Sequence, residues 1–404
     1  MKALLITEYF PPIIHGGGEI SAYALAIGLA KNNIEVHVLT SYFPGLQKYE
    51  EKHNIKIHRY LKTGINPRKI MDNVRRILLF HNSIKQEAEK LNKKENFDII
   101  HFLNTNSITN LSNIKAQKLA TINGYTNFCP KANLYYKKVK FRPGEKNFTK
   151  YIRDITSSEY IGKQKFRFYL KYNPIFLIWL YSDYLKRRNQ VKYVDKFIVL
   201  NDVIKLRNSR KIYNLANINK EIISFPIQID KNKTIITVIG ALEKIKGVDI
   251  LIKSFQNIEN ANLLIVGSGS EESKLKQLCK DLKIENKIKF TESVNQKYIP
   301  YIYSISDIIV LPTRWPEPFS RVMLEATFFK KPIIATNVGG NKEGVINNVN
   351  GYLINNIQEL TQKLEILIQD KKLREKMGEE SEKIYKEKFQ PEKLLKQIIE
   401  FYSA

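Results

Sequence analysis

Short runs of β-branched and other apolar residues recur along both halves of the chain. Each is followed by a stretch whose apolar residues return every three or four positions. A continuous apolar run of four to six residues fits a strand buried on both faces, and the return period of 3.6 fits a helix lying against it. In the first half the pattern predicts strands at Ala3–Thr7, Val36–Thr40, Ile99–Phe102, Leu119–Asn123 and Phe197–Asn201. In the second half it predicts them at Ile235–Ile239, Leu263–Val266, Ile288–Thr291, Ile308–Leu311 and Ile333–Thr336. Helical stretches such as Ser21–Lys31 and Glu271–Leu282 lie between them. This alternation is that of an α/β protein built on parallel sheets. Residues around Pro226–Lys233 show no periodicity and read as a linker. The expected division is a first domain over 1–225, a linker over 226–233, a second domain over 234–388 and a closing segment over 389–404. In such a pair of domains ligands bind at the carboxyl ends of the strands, which here are expected to face each other across a cleft.

Composition agrees with two globular domains: 404 residues are too many for one ordinary core, with 43% hydrophobic and 26% charged. The two cysteines, Cys129 and Cys279, have neither metal nor disulfide spacing, which suits a reducing compartment. The start of the chain lacks the basic, long apolar pattern of a secretory signal, and no apolar run approaches the roughly 20 residues that cross a bilayer. A cytoplasmic location is expected. Net charge changes the picture more. Residues 1–220 hold 39 Lys+Arg and 16 Asp+Glu, a balance of +23, which leaves 27 and 24, or +3, for 221–404. Between Tyr135 and Tyr193, within a segment 135–195 that breaks the alternation, there are 15 Lys+Arg and 15 aromatic residues. Its densest piece is Pro174–Tyr184, followed by Lys186, Arg187 and Arg188. Rings at an apolar boundary with cations at phosphates suit an anionic membrane surface. The same residues could instead fill the first domain's core as an amphipathic helical pair. Stacking of single-stranded nucleic acid is the third reading, but no nucleic-acid-binding module surrounds the segment.

The segment Pro312–Ala326, PTRWPEPFSRVMLEA, carries the most chemistry. A strand ends at Leu311, and Pro318 suits the first turn of a new helix. That start would leave the amides of Phe319, Ser320 and Arg321 open at a helix N-terminus, a favourable place for a phosphate. Glu317, just before it, repels phosphate but is a strong acceptor for sugar hydroxyls. Glu325, two turns in, can reach ribose hydroxyls.

Glu317, seven intervening residues and Glu325, set within Pro318-Phe319-Ser320-Arg321-Val322 and Glu325-Ala326, resemble the Glu-x7-Glu signature of the retaining glycosyltransferases of GT-B fold. Ser320 stands where that family usually has Gly. The resemblance runs along nearly the whole chain. Pro11-Pro12, Gly16-Gly17 and Glu19 resemble the family's glycine loop, which approaches donor diphosphate and acceptor. Gly240–Gly247 resembles the loop that opens its second domain, with Lys246 at the diphosphate-binding lysine. Gly267-Ser268-Gly269 resembles its second glycine turn, without the third glycine of a dinucleotide fingerprint. Gly339-Gly340 with Glu343 and Asn350-Gly351-Tyr352 resemble later turns, Glu343 being mainly structural. His101 matches a strand-end histidine with either a structural or an acceptor-side role, and Glu19 is the other acceptor-side candidate. There are two departures. Ala241 replaces the arginine that partners the lysine, a charge that Lys244 or Arg321 could supply. Asn123 replaces a histidine, able to bond a sugar hydroxyl but not to act as a base.

The resemblance implies two Rossmann-like domains, the first receiving the acceptor and the second the donor, with a C-terminal helix from Pro391 to Tyr402 crossing back to the first. It implies transfer from a UDP- or GDP-sugar with retention, with Glu317 and Asn123 at the reacting sugar. Gly16, Gly17, Lys246, Gly267, Phe319, Ser320, Arg321 and Glu325 would hold the donor. Without an Asp-x-Asp near the expected cleft or a His/Cys cluster, no metal or other cofactor is expected. The charge split agrees with a lipid-linked glycan acceptor on an anionic membrane, as in bacterial capsule, lipopolysaccharide O-antigen or exopolysaccharide assembly. The enzyme would sit at the inner face of the cell membrane, with no nucleic acid as partner. A sugar-nucleotide 2-epimerase of the same fold, or a silent glycan-binding partner, are the alternatives.

Overall fold

The computed structural model describes residues 1–64, 70–129, 147–156 and 173–404. The parts of the expected 135–195 insertion at 135–146 and 157–172 lie outside the described residues. The chain divides into a first unit of Met1–Ala216 with Leu394–Ala404, and a second unit of Asn217–Lys393.

In the first unit the strands are β1 (Lys2–Ile6), β2 (Glu35–Ser41), β3 (Tyr49–Lys52), β4 (Ile55–Leu61), β5 (Ile99–Phe102), β6 (Gln117–Ile122), β7 (Lys196–Val199) and β8 (Ser209–Lys211). They form one sheet in the order β3-β4-β2-β1-β5-β6-β7-β8, parallel throughout except for the antiparallel β3–β4 edge. Leu4 stands opposite His37 on one side and Ile100 on the other. Helix α1 (Gly17–Lys31) links β1 to β2, and α2 (Ile70–Glu95) links β4 to β5. Helices α3 (Phe148–Thr156) and α4 (Pro174–Gln190) precede β7. The crossover through α1 moves along the sheet one way, and those through α2 and α4 move the other way. Right-handed connections therefore put α1 on one face and α2 with α4 on the other.

The expected helical pair has a core of its own. Tyr151 of α3 and Leu177 and Tyr184 of α4 bury one another, joined by Ile152, Leu180, Tyr181 and Leu185. Asn173 caps α4 by accepting from the Phe176 amide at 3.0 Å, with Pro174 at its first position. Tyr151, Tyr181 and Tyr184 thus lie in a satellite cluster, while Ile175 and Ile178 on the same helix stay exposed.

In the second unit β9 (Thr234–Ile239), β10 (Ala261–Val266), β11 (Ile288–Phe290), β12 (Ile308–Leu311), β13 (Ile333–Thr336) and β14 (Gly351–Ile354) form a parallel sheet in the order β11-β10-β9-β12-β13-β14. Helices α5 (Val248–Ser254), α6 (Glu272–Asp281), α7 (Ile299–Ile305), α8 (Arg321–Phe328), α9 (Asn341–Gly344), α10 (Ile357–Gln369) and α11 (Lys371–Ile384) follow its strands. The larger core joins α5, α6, α10 and α11 to the sheet through residues such as Leu251, Phe255, Cys279, Leu364 and Met377. In both sheets chain order reverses direction beside the first strand, between β1 and β5 and between β9 and β12. These switch points open crevices at the carboxyl edges.

Three expectations need correction. The chain leaves the first unit after Ala216, not at 225. The stretch read as an aperiodic linker has period two: Phe225, Ile227 and Ile229 pack on the cluster of Ile235, Leu264, Val266 and Ile302. The turn expected at Asn350-Gly351-Tyr352 is where β14 begins, and β3, β4 and β8 were not expected. The closing helix is α12 (Pro391–Ser403); its residues from Leu394 on belong to the first unit, with Leu395 against Gly28 of α1. Among the described residues, no helix is long and apolar enough to cross a membrane.

Candidate active site

Four loops converge at the carboxyl edge of the second sheet, and glycines bring their backbones into contact. After β9, Gly240 lies against Gly267, the first residue after β10. A Cβ on Gly267, whose φ is +134°, would stand 2.0 Å from the Gly240 carbonyl oxygen. The Leu242 amide donates to the Ser268 carbonyl at 2.9 Å. Gly247, with φ +71°, meets the Pro312 carbonyl that follows β12; a Cβ there would lie 2.0 Å from it. No L side chain fits where backbone approaches this closely. After β13, Gly340 donates its amide to the Glu317 carbonyl at 2.7 Å, and a Cβ on Gly339 would overlap Pro316.

Arg314 fastens the first and third of these loops together. Its amide donates to the Ile245 carbonyl at 2.8 Å, and its guanidinium forks onto Asp249 at 2.6 and 2.7 Å. The Asp249 carboxyl, itself partly desolvated, is held below its ordinary range by that guanidinium. The loops so joined bring Lys246 to Glu317: its ammonium donates to both carboxylate oxygens at 3.0 and 2.9 Å and lies over the Trp315 ring. Arg314 and Asp249 were missed in the sequence; an arginine three residues past a strand end, with an acid just after Lys246-Gly247, was the available signal.

The helix bearing the second glutamate starts later than expected. Pro318 and Phe319 precede α8, and Ser320 is its N-cap, accepting from the Met323 amide at 3.4 Å. The amides without an intrahelical carbonyl at this start are therefore those of Ser320, Arg321 and Val322, with the Met323 amide taken by the Ser320 hydroxyl. Phe319 is buried edge-on against Phe389, so its side chain serves packing. Glu325 is 4% exposed and takes two donors, Arg321 Nε at 2.6 Å and the Tyr303 hydroxyl at 3.0 Å. Burial and this carboxylate push the Tyr303 hydroxyl well above its ordinary pKa, so it remains a donor. Arg321 Nη1 is buried with no hydrogen-bond acceptor, a donor still in want of a partner. Of the two cations proposed to replace the arginine missing at Ala241, Lys244 pairs with Asp249 and is half-exposed, whereas Arg321 points this donor into the protein.

In the first unit, Gly16 and Gly17 open α1, and the Glu19 carboxylate accepts from the Gly16 amide at 2.8 Å. Burial raises the pKa of Glu19. This geometry makes Glu19 a cap of α1. Gly18 lies beside Asn123, whose amide group donates to the Leu103 carbonyl at 3.0 Å and accepts from the Thr105 amide at 3.4 Å. Asn123 thus straps the ends of β5 and β6 while lining a small cavity with Gly18, Ser21, Thr121, Tyr213 and Asn214. His101 is fully buried, with Nδ1 at 2.7 Å from the Tyr402 hydroxyl and Nε2 at 2.8 Å from Thr121 Oγ1. Burial lowers its pKa to about 3. Both ring nitrogens are taken, so the acceptor-side role is corrected to a structural one that ties α12 to the sheet.

Glu35, His37 and Glu95 come within metal-ligand range of one another, although their spacing in sequence gives no such sign. Lys56 Nζ lies 2.7 Å from Glu35, and Lys2 Nζ lies 3.2 Å from Glu95 and 3.4 Å from Glu35. The lysines already compensate both carboxylates, and the cluster sits at the amino edge of the sheet, away from the loops described above.

Two α/β sheets, each with loops gathered at its carboxyl edge, have the arrangement in which proteins of this class bind ligands. Comparison with known proteins narrows the class. The family profile "Glycosyl transferases group 1" matches residues 219–384, and "Glycosyltransferase Family 4" matches 15–152. An uncharacterized glycosyltransferase of Haemophilus influenzae is 34% identical over 215 residues, 50% of this chain and 60% of that protein. One from Methanocaldococcus jannaschii is 26% identical over 100% of this chain and 98% of its own length. The capsular polysaccharide biosynthesis glycosyltransferase CapM of Staphylococcus aureus is 28% identical over 42% of this chain and 46% of its own. Among solved structures, sucrose-phosphate synthase of Thermosynechococcus elongatus superposes with a TM-score of 0.76 at 18% identity, covering 100% of this chain and 98% of that one. Anabaena HepE in complex with UDP-glucose gives 0.67 at 18% identity, with 100% and 99% covered. The chain belongs to the group 1, family 4 glycosyltransferases and has their GT-B fold.

Proposed function

We propose that the protein transfers a sugar, with retention of configuration, from a nucleoside diphosphate donor to a lipid-linked glycan in surface polysaccharide assembly at the inner face of a membrane. The observation that carries this is the convergence of Lys246, Glu317 and the start of α8 at the switch point of the second sheet. Lys246 and the amides of Arg321 and Val322 take the diphosphate, and their fixed positive charge stabilises the negative charge that grows on it as the sugar leaves. Glu317 accepts from sugar hydroxyls. Glu325, already oriented by Arg321 and Tyr303, offers its remaining lone pairs to the ribose. The acceptor attacks on the face from which the diphosphate departs, and the leaving phosphate takes the acceptor proton. No protein base is needed, which accommodates an asparagine at position 123. No metal is needed either, because cationic side chains and amides meet the phosphate charge.

Two comparisons support the reading: HepE was solved with UDP-glucose, and CapM is named for capsule biosynthesis. The test is incubation with a panel of UDP- and GDP-sugars, chelator and polyprenyl-diphosphate-linked saccharide, with the new anomeric centre assigned by proton NMR. The expected product retains the donor's configuration. An inverted product, or an epimerised sugar formed without acceptor, overturns the proposal.

A further inference from the structure

Helix α2 has 26 residues, about 39 Å of helix, whereas the strands it spans have four to seven. From Met71 to Leu79 no side chain is buried, and Phe80 is the first buried one after them. The turns before that overhang the sheet. They carry Met71 at 74% exposure, with Leu78 and Leu79 also open. Helix α4 has the same character at its start, where Ile175 is 78% exposed and Ile178 is exposed too. Both helices lead directly into a parallel strand on the same face of the sheet, so both run against the strands and begin at the carboxyl edge. Both reach the same short segment: His81 Nδ1 of α2 lies 2.9 Å from Thr109 Oγ1, and Gln190 of α4 accepts from the Asn110 amide at 2.6 Å. From those contacts α2 runs back 11 residues to Ile70 and α4 runs back 16 residues to Pro174, so both starts project toward the carboxyl edge on the same face. Phe148, exposed at the start of α3, meets α4 through Tyr181.

Each of the two helices carries an exposed cation beside its apolar residues. Arg75 stands between Met71 and Leu78 on α2, Lys186 continues the outer face of α4, and both are exposed. Residues 1–220 carry a net +23. A second copy of a chain so charged would be repelled, whereas an anionic surface would be attracted. We infer that the overhanging ends of α2 and α4 dock this protein on an anionic lipid bilayer, with Met71, Leu78, Ile175 and Ile178 entering the acyl boundary and the cations meeting lipid phosphates. This rests on the reading of a membrane-borne acceptor and names the surface that meets the membrane.

The experiment is flotation of the full chain, without nucleotide or acceptor, on phosphatidylcholine vesicles with and without phosphatidylglycerol. The wild type should float only on the anionic vesicles, and less at high salt. Ile175→Asp/Ile178→Asp and Met71→Asp/Leu78→Asp should each lower binding about tenfold or more. Ile222→Asp, at an exposed site in the second unit, should leave it unchanged. Thermal shifts with nucleoside diphosphate, measured on the same variants, should equal those of the wild type. Loss of flotation with that shift intact therefore supports the docking surface, while loss of the shift alone counts against the donor site only. Variants that float like the wild type, equal binding to neutral vesicles, or self-association that the substitutions abolish would overturn the inference.

Discussion

Replacing Glu317 by Gln should separate diphosphate binding from sugar transfer. In the structure the Lys246 ammonium is shared between both Glu317 oxygens at 2.9 and 3.0 Å, with the two side chains 29% and 20% exposed. A diphosphate that uses Lys246 must compete with that carboxylate. A partly solvated pair of this kind is worth about 0.2–1 kcal/mol, so its removal should tighten UDP or GDP binding by at most about fivefold. The same substitution removes the charge from the bonds that Glu317 makes with sugar hydroxyls. Charge-assisted bonds contribute about 1.5–3 kcal/mol, so transfer should slow by about 10–150-fold. Lys246→Ala should do the reverse to binding and weaken it by a similar factor. Titration calorimetry with the nucleoside diphosphate, beside initial rates with the matching nucleotide sugar, measures both quantities. If Glu317→Gln weakens the diphosphate as much as it slows transfer, Glu317 serves the loop fold rather than the sugar, and the reasoning fails.

Three further outcomes follow from the same geometry. Gly267→Ala puts a Cβ 2.0 Å from the Gly240 carbonyl at φ +134°, and should lower stability by about 2 kcal/mol or more and abolish the nucleotide-induced melting shift; an unchanged melting curve would contradict it. His101→Ala leaves Thr121 and Tyr402 without their partner and should cost about 1–3 kcal/mol in denaturant unfolding, with no change in the KM for acceptor. Burial holds His58 and His81 at about 4 and His101 at about 3, below an unfolded value near 6.5. The unfolded chain therefore binds more protons between those values. The stabilisation is fully present above pH 6.5 and is lost as pH falls toward 4, by at most about 1.4 kcal/mol per pH unit per histidine. Melting temperature should fall from pH 7 to pH 5.5, and less steeply in His101→Gln; a flat profile would refute it.

The buried strands were legible because parallel strands covered on both faces read as unbroken apolar runs, as in Ile308–Leu311 and Ile333–Thr336. Strand β4, IKIHRYL, escaped because His58 and Arg59, both buried, look like surface residues until their partners are seen. Its histidine meets His37 at 3.1 Å, and its arginine pairs with Glu50. The linker was misread for a related reason: Phe225, Ile227 and Ile229 alternate with polar residues across a proline, and only the second unit's cluster shows what they pack on. At the site, Lys246 and Glu317 were identified by their surroundings in sequence, but their direct pairing depends on Gly247 and Arg314, which join loops 65 or more residues apart. His101 illustrates the opposite limit, because Tyr402, 301 residues away, occupies one of its ring nitrogens.

The central claim is a donor site in the second unit that holds a nucleoside diphosphate through Lys246 and the start of α8. Thermal melting with UDP, GDP, ADP and TDP in the presence of chelator tests it most directly. A ligand at about 100 times its dissociation constant adds about 2.7 kcal/mol. Stabilisation of the wild type by one of these nucleotides, smaller by about 1 kcal/mol in Lys246→Ala, is the predicted result. No response to any of them, or a response that Lys246→Ala leaves intact, would contradict the account.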